Sequence, residues 1–257
     1  MITETNVTVR PILSVFLSSL RDIGYSFETA LADLVDNSIS ANAENIKIYA
    51  LPSTDKLVII DDGNGMSDDM LKEAMRLGTQ KENRAKNDLG RFGLGLKTAS
   101  FSQCKRLTVF SKCDQTISGY TWDLDFLSQK DDWLLQKASV DDLKSKLDEM
   151  SPQIFEEFYS VKHASLVLWE KIDRYSEEEF DEELKNARKH LALTFHRYLG
   201  FPGFNGQMVK LYFNNTKIDP FDPFTSKDKN TARSGMQAQT DEYTLSNGTS
   251  LSVTPYI

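Results

Sequence analysis

The fold of this chain is decided at residues 31–38, which read LADLVDNS. Ser26 can cap a helix ahead of this stretch, so we expect a helix that runs to about Ala41. Residues four apart share one face of a helix, so Asp33 and Asn37 project together. The apolar residues of the same segment supply the opposite stripe, which we expect to face a core.

A carboxylate and an amide on the outer face of one helix have a specific chemical use. The carbonyl oxygen of Asn37 can ligate Mg²⁺, which prefers oxygen ligands. The carboxylate of Asp33 can accept a proton from a water molecule that attacks phosphorus. Taken alone, this helix is equally typical of a solvated polar surface, so the chemical interpretation needs support from elsewhere in the chain.

A second polar motif follows a short apolar run at residues 56–60. Residues 61–65 read DDGNG, and Ser67 can cap the next helix. A buried carboxylate at Asp61 can accept a hydrogen bond from the amino group of adenine, and glycines let the backbone approach a flat base. The alternative is a simple turn between a strand and a helix, since Asp and Gly favour turns.

A third motif, LGRFGLGLKTAS at residues 89–100, follows a polar stretch without periodicity. Its glycines at 90, 93 and 95 precede a predicted helix start, where backbone amides and the positive end of the helix dipole suit phosphate. Lys97 adds a charge. The motif lacks the Gly-Lys-Ser/Thr ending of a Walker loop, and no strand leads into it as in a dinucleotide fingerprint, so by itself it is weak support.

The remaining segments alternate between strand and helix patterns. We expect strands at residues 45–51, 56–60, 106–111, 116–123, 165–170 and 209–213, and helices beginning near 11, 67, 93, 143 and 176. Strand hairpins combined with runs of helices predict an α/β sandwich, in which one mixed β-sheet carries helices on one face.

The composition changes after residue 219. We assign residues 1–219 to one domain and the polar residues 220–242 to a linker. Residues 243–257 resume a strand-like alternation around the turn signal Asn247-Gly248, so we expect a second α/β domain to start there.

In their order and spacing, the three motifs resemble those of the GHKL ATPases with the Bergerat fold. That family includes DNA gyrase B subunits, the ninety-kilodalton heat-shock chaperones, histidine kinases, MutL and MORC proteins. Residues 31–38 match its N-box, 61–65 its DxGxG box and 90–97 its second glycine box; residues 163–168 resemble its later Gly-Thr strand motif, with Ser165 in the Thr place. The resemblance covers roughly residues 10–215 and is closest to MORC-like and MutL-like members.

The resemblance implies a role for each matched residue. Asn37 would ligate Mg²⁺, Asp33 would be the general base, and Asp61 would bind the adenine amino group with Ser165 in support, through water. The nucleotide site as a whole would comprise Asn37, Asp61, Gly63, Gly65, Met66, Thr79, Gly90, Arg91, Phe92, Gly93, Leu94, Gly95, Leu96, Lys97 and Ser165. ATP and Mg²⁺ are the implied ligands.

Asp33 departs from the family pattern, which usually has Glu at this position. Its carboxylate is withdrawn by one methylene, and a general base must come within about 3 Å of the water that it deprotonates. We therefore expect ATP binding to be retained and hydrolysis to ADP and phosphate to be slow.

By the same resemblance, ATP would close a lid and pair two copies of the chain within a larger machine. The new domain at residue 243 would be a transducer, and DNA is a candidate substrate reached through other domains. Two alternatives stay open: a protein kinase on the same fold, for which we find no phospho-acceptor helix, and a nucleotide sensor that does not hydrolyse ATP.

Length, charge and cysteine content argue against a nucleic-acid-binding, secreted or membrane protein. The chain has 257 residues and a net charge of −8, so we do not expect this domain to grip a nucleic-acid backbone by itself. We expect its two cysteines to be free thiols in a reducing compartment. We find no signal peptide and no apolar run of about 20 residues, and so expect a cytoplasmic protein that does not contact membranes.

Overall fold

The computed structural model describes residues 11–22, 24–78, 95–200, 206–221, 241–244 and 250–253. Within them the helices are α1 (Leu13–Arg21), α2 (Phe27–Ser40), α3 (Asp68–Met75), α4 (Gly95–Gln103), α5 (Leu124–Lys130), α6 (Val140–Asp148), α7 (Pro152–Ser160), α8 (Glu177–Thr194) and α9 (His196–Gly200). The strands are β1 (Asn45–Leu51), β2 (Lys56–Asp61), β3 (Cys104–Cys113), β4 (Thr116–Asp123), β5 (Gln136–Lys137), β6 (Ala164–Ile172), β7 (Lys210–Phe213), β8 (Thr216–Lys217), β9 (Asp241–Thr244) and β10 (Ser250–Val253).

Serine side chains set where several of these helices begin. The hydroxyls of Ser26, Ser67 and Ser139 accept hydrogen bonds from backbone amides in the first turns of α2, α3 and α6. Ser176 forms a reciprocal capping box with Glu179 at the start of α8. Each cap satisfies an amide that would otherwise lack a partner at the helix terminus. The helix starts predicted at Ser26 and Ser67 are confirmed.

Strands β1 to β8 form one mixed sheet in the order β5-β4-β3-β6-β2-β1-β7-β8. The pairing of β1 with β7 is parallel, and the other neighbouring pairs are antiparallel. Strand β6 therefore lies between the hairpin β3–β4 and the hairpin β1–β2. This arrangement puts the ends of β2, β3 and β6 side by side, and the candidate site is built at that edge.

The main core lies between one face of the sheet and a layer of helices. Residues of α1, α2, α4 and α8 pack there against β1, β2, β3 and β6. The apolar stripe predicted on α2 is buried, with Leu31, Leu34, Val35 and Ile39 between 0% and 6% exposed. This burial orients the helix, so its polar face is turned away from the core.

The other face of the sheet has a smaller core under α6 and α7. Leu143, Leu147 and Phe158 of these helices pack against Val58 and Leu166 of the sheet. Since alternate residues of a strand point to opposite faces, β2 is buried on both sides, which explains its continuous apolar run. The mixed-sheet fold class is confirmed, and the structure adds these two helices on the second face.

The structure differs from the sequence prediction in details. The helix expected at 176–199 is interrupted at Phe195, which separates α8 from α9. The short elements α5 and β5 were not predicted, because a seven-residue helix and a two-residue strand carry little periodicity.

The C-terminal part is described only in its hairpin. Strands β9 and β10 pair antiparallel on either side of the predicted Asn247-Gly248 turn, which lies outside the described residues, as does most of the assigned linker. The division into domains at 219 and 243 stays a prediction. Both cysteines are free thiols, and none of the described helices is long and apolar enough to span a bilayer.

Candidate functional site

Helix α2 forms one wall of the candidate site. Asp33 is half-buried and Asn37 is exposed on its outer face, as the helical spacing predicted. Within the described part of the chain, the side-chain amide of Asn37 makes no hydrogen bond to another residue. Its oxygen is therefore available to a ligand.

The carboxylate of Asp61, at the end of β2, forms the inner end of the site. It is 6% exposed and is held from two directions. Ser38 Oγ on α2 donates to Oδ2 at 2.9 Å, and the backbone amide of Gly63 donates to Oδ1 at 3.0 Å. Asp61 also pairs in register with Ser165 on β6, the residue that the sequence assigned to the same pocket.

Two opposing effects determine the pKa of the Asp61 carboxyl group. Burial raises the pKa of this carboxyl from its ordinary value to about 6, while the hydrogen bonds from Gly63 and Ser38 lower the pKa. At neutral pH the group is mostly ionised and presents a buried acceptor. An adenine amino group is a donor of the kind that this acceptor would bind.

A polar row crosses the sheet at the same level. Ser111 on β3 lies opposite Ser165 on β6, which in turn lies opposite Asp61 on β2. The next row on the same face is apolar and consists of Val109, Val167 and Ile59. Of these two rows, Ser165 and Val167 are partly exposed and the others are buried, so the accessible part of the sheet changes from polar to apolar along β6.

The loop after β2 is held against this floor by its backbone. The amide of Met66 donates to Ser111 Oγ at 2.7 Å, and Ser111 donates in turn to the carbonyl oxygen of Ala164 at 3.1 Å. Gly65 has a positive φ of +63°, and a Cβ there would overlap with the carbonyl oxygen of Lys112. Glycine is required at this position both by its backbone conformation and by the close approach of β3.

The start of α4 closes the site on the side of Asp33. A Cβ built on Gly95 would lie 3.9 Å from Asp33 Oδ2, so the backbone of the third motif lies close to the carboxylate of the first. Amides at the start of a helix favour anions, which makes this position suitable for phosphate.

The side chain of Lys97 is buried and reaches α3. It is 2% exposed, and its Nζ donates to the carbonyl oxygen of Ala74 in α3 at 2.7 Å. Leu96 is half-buried and packs against the main core. A direct contact between Lys97 and phosphate stays a prediction.

Six of the assigned residues lie outside the described part of the chain, and their roles stay predictions. They are Thr79, Gly90, Arg91, Phe92, Gly93 and Leu94.

Sequence reasoning did not assign Ser38 or Ser111 to the site. Each carried a signal, because a hydroxyl interrupts an apolar pattern: Ser38 follows Leu31 and Leu34 on the inner stripe of α2, and Ser111 continues the inward-facing alternation of β3. Both hydroxyls lie at the level of Asp61: Ser38 donates to its carboxylate, and Ser111 lies in the row that Asp61 shares with Ser165.

The sequence of this chain is similar to those of known ATPases. Residues 25–154, about half of the chain, match a family model described as Histidine kinase-, DNA gyrase B-, and HSP90-like ATPase. The chain is similar to ATPase MORC2A of Mus musculus, with 26% identity over 200 residues that make up 76% of this chain and 18% of that protein.

Two further relatives align over shorter stretches. ATPase MORC2 of Homo sapiens is 34% identical over 95 residues, 35% of this chain and 9% of that protein. Protein MICRORCHIDIA 7 of Arabidopsis thaliana is 30% identical over 91 residues, 33% of this chain and 13% of that protein. The aligned stretches span less than one fifth of these relatives' own lengths.

Substitution of Gly65 tests the packing of the loop. Gly65→Ala combines a left-handed backbone with an overlap at Lys112, and we expect it to lower the free energy of unfolding by about 3 kcal/mol. Gly78→Ala is the matched control: its φ is +79°, but no atom of the described residues lies within 4 Å of a Cβ there, so about 1 kcal/mol is expected. Urea denaturation measures both, and equal losses would contradict the close approach of β3.

The pH dependence of stability tests the burial of Asp61. The folded-state pKa of about 6 exceeds the unfolded value of 3.8, so the folded protein binds this proton more tightly. The contribution to stability is full below pH 3.8 and is lost as the pH rises through 6. We expect the free energy of unfolding of the wild type, relative to Asp61→Asn, to fall by roughly 3 kcal/mol between pH 3.5 and 7.5.

Urea denaturation at the two pH values, with the exposed Asp148→Asn as control, measures this difference. A relative stability that is the same at both pH values would show that Asp61 is not a buried acceptor.

Proposed function

Because this chain belongs to the histidine kinase-, DNA gyrase B- and HSP90-like ATPases, we propose that it binds Mg-ATP between α2, the loop after β2 and the start of α4, and hydrolyses it slowly to ADP and phosphate. The predicted GHKL type of ATPase domain and its MORC-like character are confirmed by the comparisons. The residue roles, the metal, the lid and the dimer belong to the proposal.

One observation carries the proposal: three motifs that are far apart in the sequence meet in space. The hydrogen bond from Ser38 to Asp61 joins the first motif to the second. The approach of Gly95 to Asp33 Oδ2 joins the first to the third. A surface helix and an ordinary turn, the alternatives for each motif taken alone, would not account for this convergence.

The adenine base would lie against Asp61. Its amino group would donate to the carboxylate, and Ser165 on the adjacent strand would support it through water. A Cβ at Gly63 would lie 3.0 Å from Asp61 Oδ1, so glycine there keeps the carboxylate free of a neighbouring side chain. Met66, whose backbone is fixed by Ser111, would line the edge of the pocket.

The outer face of α2 fits a magnesium ion. Asn37 offers an exposed amide oxygen without an intramolecular partner among the described residues. Oxygen ligands that leave room for water are what Mg²⁺ requires. When bound, the ion would offset the negative charge of the triphosphate.

Asp33 would act as the general base. The oxygen of a water molecule attacks the γ-phosphorus, the bond from phosphorus to the bridging oxygen breaks, and ADP leaves with that electron pair. The Asp33 carboxylate takes the proton that the water loses. Since Asp reaches about one methylene less far than Glu, we expect slow turnover.

The similarity to MORC proteins supports a proposal about the role of this chain in a larger protein. We propose that ATP orders the lid that precedes α4, pairs two copies of the chain, and drives a larger machine in which other domains contact DNA. The net charge of −8 favours DNA contacts outside this domain. The sensor alternative uses the same pocket and differs only in lacking turnover.

Two substitutions on α2 separate binding from hydrolysis. Asn37→Ala removes the metal ligand and should abolish detectable binding of Mg-ATP in calorimetry. Asp33→Asn keeps the shape and a similar affinity but removes the base, so phosphate release should fall by at least 100-fold. Ser40→Ala, exposed on the same helix, is the control. Normal affinity in Asn37→Ala would refute the metal assignment, and unchanged turnover in Asp33→Asn would refute the base.

Nucleotide-dependent pairing can be measured by light scattering. With Mg²⁺ and a non-hydrolysable ATP analogue, we expect the mass of the protein to double, because the ordered lid completes an interface. ADP should leave it monomeric, and Asn37→Ala should not respond to the analogue. A wild-type protein that stays monomeric at saturating analogue would rule out the dimer.

A further inference from the structure

A second carboxylate, that of Asp62, directly follows Asp61 where β2 ends. Its Oδ1 accepts hydrogen bonds from the backbone amides of Glu44 and Asn45, both at 2.8 Å, and its Oδ2 accepts one from Asn45 Nδ2 at 2.6 Å. The backbone amide of Asp62 also donates to the carbonyl oxygen of Asn45 at 3.3 Å. Asp62 therefore ties the end of β2 to the start of β1 through both its side chain and its backbone.

The loop after β2 is also bonded to the end of α2. The amide of Asn64 donates to the carbonyl oxygen of Ala41, the C-cap of α2, at 2.8 Å. A Cβ on Gly63 would lie 2.7 Å from that oxygen, so the loop packs directly against the helix end. The amide of Ala41 donates in turn to the carbonyl oxygen of Asn37 at 3.0 Å. Residues 41–45 therefore connect the second motif to the first.

Two consecutive carboxylates hold this corner of the sheet against different elements. Asp61 accepts a hydrogen bond from Ser38 of α2, and Asp62 holds the segment that joins α2 to β1. A single hydrogen bond lets two elements rotate about it, whereas a second set of bonds in another direction fixes their orientation. Groups that bind a ligand need such support from residues that do not themselves touch it.

We propose that Asp62 is a positioning residue for nucleotide binding, and that its carboxylate fixes the adenine acceptor Asp61 relative to the metal ligand Asn37. This inference rests on the proposed function and assigns a role to a residue that has none in it. A hydrogen bond weakens steeply as its angle departs from linear, so a small rotation of the Asp61 carboxylate would weaken the bond from the adenine amino group.

The test compares ATP with purine riboside triphosphate, which lacks the 6-amino group, by calorimetry on the full chain with Mg²⁺. The ratio of the two Kd values reports the hydrogen bond to Asp61, and changes common to both ligands cancel. A hydrogen bond to a carboxylate predicts that the wild type prefers ATP about 20-fold. Asp62→Ala removes every acceptor of this side chain, so we expect the preference to fall to about threefold.

A milder variant keeps the test available if Asp62→Ala does not fold. Asn45→Ala removes only the hydrogen bond to Asp62 Oδ2 and leaves both backbone amides in place. We expect a preference for ATP between those of the wild type and Asp62→Ala.

Asp62→Asn tests whether hydrogen-bond acceptors, and not charge, are what Asp62 supplies. Its carbonyl oxygen can still accept from the amides of Glu44 and Asn45, and the side-chain amide of Asn45 can turn to pair with the new NH₂ group. We expect a preference within about twofold of the wild-type value. A loss as large as that in Asp62→Ala would overturn the proposal.

Asn214→Ala is the matched structural control. Asn214 bonds the backbone of Ala50 near the other end of β1, with Oδ1 accepting from the amide and Nδ2 donating to the carbonyl oxygen, both at 2.9 Å. Urea denaturation should show a loss of stability in Asn214→Ala and in Asp62→Ala, whereas only Asp62→Ala should lose the preference for ATP.

The outcomes separate this inference from the proposed function. An unchanged preference in Asp62→Ala and Asn45→Ala, or an equal loss in Asn214→Ala, would overturn the role of Asp62 and leave the contact between Asp61 and adenine intact. A wild type that binds both nucleotides equally would overturn that contact and the role of Asp62 with it. A wild type that binds neither would overturn the proposed function as a whole.

Discussion

The site is organised around a carboxylate, Asp61, that is almost fully buried at the end of a central strand. Burying this charge opposes folding, as its raised pKa shows, and the cost is offset by the hydrogen bonds from Ser38 and Gly63. These two partners come from α2 and from the loop after β2. The requirement to satisfy one buried acceptor therefore fixes the helix and the loop relative to the sheet.

The other parts of the site follow from that arrangement. Once α2 is anchored through Ser38, its outer face presents Asp33 and Asn37 at the same edge of the sheet. The start of α4 then lies beside Asp33 at a residue without a side chain, Gly95. An amide, two carboxylates and a helix N-terminus lie near one another there, and family membership makes ATP the ligand that this chemistry fits.

Much of this could be predicted without the structure. The periodicity of residues 31–39 predicted the buried stripe of α2, and the apolar run at 56–60 predicted a buried strand, which the structure shows to be covered on both faces. The alternation of the β3–β4 hairpin was equally clear. These predictions succeeded because burial on one face of a regular element leaves a fixed spacing in the sequence. The second core under α6 and α7 was harder to predict, because a helix pattern does not specify which face of a sheet it covers.

By itself, the sequence determined the family, the mixed-sheet fold and the identity of the three motifs, since local periodicity and the order of motifs are written directly in the chain. Only the tertiary structure decided how polar groups from different elements pair: Ser38 with Asp61, Ser111 with the backbone of Met66, and Lys97 with α3. Such pairs depend on which groups are buried together, and in a single sequence no spacing rule links residues that become neighbours only after the chain folds.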